Sequence, residues 1–205
     1  MRVKRVKSGQ FSVEFMIIIA FLLIALATIS LPMYNRARAD AQRASDLADA
    51  REAASALANA LNTIYADGVG SKQTIEYWLP KGVAAVYADA DIDGVDTDNN
   101  GTPDNPPRNG RLDVQIWFDL NGDNIPELGN REAVVVVETI LPSKWDENGN
   151  PRQDWENQCP KVEDENLGIS LTGRTLHQVT ITYTYSAGYA QPKRIAIVDN
   201  IIKVI

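Results

Sequence analysis

Residues 15–31 read FMIIIAFLLIALATISL, and Pro32 follows. No charge interrupts this run. Seventeen helical residues span about 25 Å, at the short end of what crosses the hydrocarbon core of a bilayer. Extending the helix back to Gln10 makes the span comfortable and carries Glu14 with it. Arg2, Lys4, Arg5 and Lys7 precede the run and no basic residue lies within it. That asymmetry predicts a cytoplasmic N-terminus with the rest of the chain outside. A secretory signal peptide or a simple signal anchor shares these features, so the flanking residues have to discriminate.

After the apolar run the chain does not break, as it would after a cleaved secretory signal. It continues through Tyr34 and Arg36 into an alanine-rich stretch of good helix formers reaching about Tyr65. Leu47, Ala50, Ala54, Leu57, Ala58, Leu61, Ile64 and Tyr65 recur three and four residues apart and form one apolar stripe. Asp67-Gly68 supplies the stop, with Gly68 suited to the left-handed position after a helix. The expectation is one helix over 10–66, hydrophobic in its first half and amphipathic in its second. Pro32 is expected to kink it mildly, the alternative being a locally melted stretch.

Glu14 is the anomaly. A carboxylate at the edge of a membrane span is expensive unless it meets water, a cation or a proton, and a plain anchor has no need of one. Basic residues, then Gly9, then Gln10-Phe11-Ser12-Val13-Glu14 and an apolar run resemble the class III signal peptide of archaeal type IV pilins. Their pattern is Gln-x-Ser-x-Glu directly after the cleavage point. Archaellins share the cleavage logic but usually have glycine-rich starts, and rank second. The resemblance covers roughly residues 1–65. It implies that a prepilin peptidase cuts between Gly9 and Gln10, removing a leader over 1–9. It further implies that Gln10, Ser12 and Glu14 serve assembly, with Glu14 meeting the new Gln10 amine of a neighbouring subunit. The implied partners are further copies of the chain, a pilus assembly platform, and the membrane before assembly; the implied destination is a filament on the cell surface.

The 205 residues carry 20 basic and 27 acidic side chains, a net charge of −7. Without the four basic residues at the start, 16 basic residues face 27 acidic ones, a charge of −11. An acidic body repels phosphate backbones, which argues against nucleic-acid binding. Cys159 is the only cysteine, so neither an intramolecular disulfide nor a thiolate cluster can form. His177 is the only histidine and sits in an alternating, strand-like segment. Alone it makes no zinc site, and no partner for a general base is evident. The chain does not read as an enzyme.

Beyond Gly70 the helical period disappears. Strand-like runs follow at 74–79, 82–87, 112–118, 133–140, 178–186, 194–198 and 201–205. The alternation in Val179-Thr180-Ile181-Thr182-Tyr183-Thr184-Tyr185 predicts one buried and one wet face. The continuous apolar run Ala133–Val137 predicts a central strand covered on both faces. Asp199-Asn200, between two apolar runs, predicts a terminal hairpin turn. The fold class expected is therefore α+β: a long N-terminal helix followed by a β-rich, sandwich-like head over 71–205.

Acidic loops separate the strands. Asp96-x-Asp98-x-Asn100-Gly101-x-x-Asp104 places oxygen side chains at positions 1, 3, 5 and 9 with glycine at 6, the spacing of a calcium loop. Asp89, Asp91 and Asp93 with Gly94 begin the same way; Asp119, Asn121, Asp123 and Glu127 keep the spacing without the glycine. The segment 146–154 is a weaker relative. None has a glutamate at position 12, so these are not EF-hands; over short stretches they look like thrombospondin type 3 or dockerin loops. Such loops are also ordinary turns. Calcium is an expectation that predicts lower thermal stability in chelator, restored by calcium and not by magnesium. Asn100-Gly101-Thr102 is in addition a glycosylation sequon, a use that competes with ligation.

Two kinds of function remain open: a structural pilus subunit, and a membrane-anchored binding module or minor pilin-like protein. The cleavage motif with Glu14 favours the first.

Overall fold

A computed structural model describes residues 10–90, 110–123, 134–143, 146, 152–153, 160–165, 170, 173–185 and 193–204. The chain divides into two units, Met1–Ser45 and Asp46–Ile205. One helix, α1 (Gln10–Asp67), supplies residues to both. It continues as helix across Pro32 in the single chain. Proline removes one amide donor; the helix formers on both sides keep the remaining ladder intact.

The second unit begins inside α1. Ala50, Ala53, Ala54, Leu57, Ala58, Ala60, Leu61 and Ile64 are buried, which reproduces the expected stripe except at its start, where Leu47 is exposed. Gly68, at φ 84°, ends the helix, its amide donating to the Ile64 carbonyl at 3.1 Å. The Ser71 hydroxyl donates to the same carbonyl at 3.0 Å. These bonds satisfy the last helical acceptors. Gly70, at φ 102°, then donates to the Tyr183 carbonyl at 2.8 Å, and Tyr183 returns a bond to the Ser71 carbonyl. The helix end is thereby tied to the sheet.

Seven strands follow: β1 (Lys72–Leu79), β2 (Val83–Ala90), β3 (Arg111–Phe118), β4 (Val134–Pro142), β5 (Lys161–Glu165), β6 (Thr175–Tyr185) and β7 (Lys193–Val204). They form a four-stranded sheet in the order β1-β6-β7-β5 and a three-stranded sheet in the order β2-β3-β4. All neighbours are antiparallel except β5 and β7, which are parallel. Apolar side chains from the last turns of α1 and from both sheets share one core cluster. The architecture is α+β, as expected.

Three strand expectations need correction. The fully covered strand is β3, not the valine run. β3 lies between β2 and β4, and every residue from Leu112 to Phe118 is buried. β4 has a neighbour only in β3 among the described strands, and its Val136 is 37% exposed. Sheet position, rather than apolarity alone, sets burial. Part of the β4 edge is closed by the helix, since the Ile140 amide donates to Asn62 Oδ1 at 2.8 Å; a side chain there blunts further strand pairing. Second, Asp199-Asn200 makes no turn: β7 runs straight through it, paired with β6 along Lys193–Val204. Third, β5 gave no sequence signal, because KVEDE lacks apolar alternation.

Candidate functional site: the exposed face of the N-terminal helix

From Phe15 to Asn35 no residue is charged, and the large apolar side chains of this stretch stand in the open. Phe21 is 74% exposed and Met16 68%. Val13, Met16, Ile17, Ile19, Ala20 and Leu23 line a shallow apolar groove along the helix. The small Ala20 between larger neighbours gives the groove its depth. This helix is long and apolar enough to cross a membrane, and none of its most apolar eighteen-residue window is buried. A helix hydrophobic all round requires lipid or other helices as its surroundings.

Of the residues implicated by the cleavage motif, Gln10, Ser12 and Glu14 lie in the first turns of α1. Glu14 is exposed. Gly9 lies outside the described residues.

The acidic loops are only partly described. Asp91, Asp93, Asp96, Asp98, Asn100, Asp104 and Glu127 lie outside the described residues, as do Cys159 and the sequon at Asn100. Asp89 falls in β2. Asp119, Asn121 and Asp123 form a turn that satisfies itself: Asp119 Oδ1 accepts from the Gly122 amide at 2.6 Å, and Asn121 Oδ1 accepts from the Asp123 amide at 2.9 Å. Asn121 Nδ2 donates to Asp123 Oδ2 at 3.0 Å. Gly122 sits at φ 82° in this turn, where asparagine and aspartate side chains commonly bond nearby amides. Among the described residues no three metal-ligating side chains gather.

Sequence reasoning missed the partners of His177. Its Nδ1 is 2.7 Å from Asp199 Oδ2, and its Nε2 is 2.7 Å from Thr175 Oγ1. With the carboxylate accepting from Nδ1–H, Nε2 accepts the hydroxyl proton of Thr175. The ring stacks on Tyr77, centroids 5.7 Å apart. The order hydroxyl, imidazole, carboxylate is that of a nucleophilic triad. Here it is sealed: His177 is 0% exposed, Thr175 4%, and the Asp199 side chain 3%. The group links β1, β6 and β7 across the sheet and explains why Asp199 can sit inside a strand. The Tyr77 hydroxyl has no hydrogen-bond partner among the described residues; burial, and after it the charge of Asp199, pushes its ionisation far above the usual tyrosine range. A signal for this cluster existed in the period-two spacing of Thr175 and His177, but nothing local marked Asp199 as their partner.

No family model, curated protein or solved structure matches this chain.

Proposed function

We propose that the chain is the structural subunit of a surface filament of the archaeal type IV pilus kind. The observation that carries this reading is the unburied, wholly apolar half of α1, preceded by Glu14 and by Gln10 one turn away. Among the described residues, the core of the head includes none of these. In the membrane, lipid covers them; in a filament, the same surfaces of other copies do. Cleavage after Gly9 by a prepilin peptidase discards the basic leader and leaves an ammonium on Gln10. Glu14 of one copy neutralises that ammonium on another as both leave lipid for a bundle. Removing one member of such a desolvated pair costs about 3–5 kcal/mol. Calcium within 89–104, and also at Asp119, Asn121, Asp123 and Glu127, is proposed on the ligand spacing alone.

The test is N-terminal sequencing of the subunit in filaments sheared from cells. Processing at the proposed site gives Gln10 as the first residue; a start at Met1 or after Pro32 overturns the reading. Glu14→Ala is expected to leave processing intact and abolish filaments in electron micrographs.

A further inference from the structure

Helix α1 carries two opposite blocks of charge beyond its apolar run. Arg36, Arg38 and Arg43 come first, with Asp40 as the only acid among them; Asp46, Asp49 and Glu52 follow, with Arg51 as the only base. All three arginines of the first block are exposed. None makes a hydrogen bond or ion pair with a described residue.

The acidic block borders a cleft in the head. Asp49, Glu52, Glu76, Trp78 and Arg174 line a space of about 140 Å³. Arg174 already meets Asp49 at 3.2 Å and stacks over Trp78 at 5.1 Å. Glu76 accepts from Gln178. Glu52 is exposed and makes no hydrogen bond or ion pair with a described residue. Three carboxylates therefore face one guanidinium, beside an aromatic wall. A second planar guanidinium suits such a place, since it can bind a carboxylate through two donors and stack on a ring.

We propose that the Arg36–Arg43 segment of one copy docks against the Asp46–Glu52 segment of another. The inference rests on the filament reading and adds its register. Two parallel copies set level would place arginines beside arginines and carboxylates beside carboxylates. Sliding one copy by about ten residues, about 15 Å along the axis, brings the blocks into opposition. Charge thus selects a staggered arrangement and penalises the level one, which apolar packing by itself does not distinguish.

Charge reversal in filament-forming cells tests the pairing. Arg43→Glu and Glu52→Arg are each expected to lower filament yield about tenfold, and the chain carrying both is expected to recover to within about twofold of the original. A double variant no better than the worse single one overturns the pairing. That result is also what arginines serving anionic lipid headgroups would give, because Glu52→Arg cannot restore lipid binding at position 43. Singles with normal yield overturn it equally. If either single variant lowers the melting temperature of the head, the original filaments decide: dissociation at raised ionic strength is expected, and indifference to salt refutes the pairing. Filaments formed by the unsubstituted chain keep the two claims apart, since a failed pairing leaves the pilus reading standing. No filaments at all removes both.

Discussion

Residues 13–45 and 46–67 belong to one helix, yet they treat apolar side chains in opposite ways. The first half carries isoleucine, leucine and phenylalanine around its whole circumference and leaves them open. The second buries mostly alanines, with Leu57, Leu61 and Ile64 as the large members of its stripe. Among the described residues, the core cluster includes none from the more hydrophobic half. Its large apolar side chains are exposed, whereas the modest stripe of the second half packs with both sheets in one core.

Substitutions can break or sharpen this contrast. The largest loss is expected in the head's buried polar anchor. His177→Leu leaves the Asp199 carboxylate enclosed without its imidazole, and the head should lose about 3–5 kcal/mol in denaturant unfolding. Next, Leu61→Ala should cost about 2–5 kcal/mol through the cavity it leaves. Leu22→Ala removes the same atoms from the open half and should shift the head's stability by less than about 0.5 kcal/mol. Equal losses for the two leucines would erase the distinction between the halves.

Tyr77 adds a pH dependence. Its folded-state ionisation lies above the unfolded value near 10, so the unfolded chain releases this proton first as pH rises. The stabilisation is full below pH 10 and declines above it, by about 1.4 kcal/mol per pH unit from this group. Tyr77→Phe should be close to neutral at pH 7 and should flatten that alkaline decline in urea titrations. A modest loss is expected at the β4 edge: Asn62→Ala frees the Ile140 amide and should cost about 1 kcal/mol.

The helix was legible because its signals are local. The uncharged run, the three-and-four spacing and Asp67-Gly68 each act within a few residues, and α1 ends at Asp67. The alternation from Val179 to Tyr183 likewise appears as buried and partly exposed positions along β6. The misread elements depend on distant partners. Whether Val134–Val137 lies at a sheet's centre or edge is decided by the strand beside it. Asp199 resembles a turn residue until His177, 22 positions earlier, takes its carboxylate. In the acidic loops, spacing alone does not separate a ligand set from an Asx turn, because both use the same side chains.

The junction after α1 has a mechanical consequence. Tension carried down a helix normally peels whatever is attached at its end, one bond at a time. Here the exit from Gly68 to Ser71 is stitched to Tyr183 in β6, a strand flanked by β1 and β7. Beside the stitch, β1 pairs with β6 from Lys72 to Leu79. Pulling on the helix therefore meets this stitch first, with the β1–β6 ladder directly behind it.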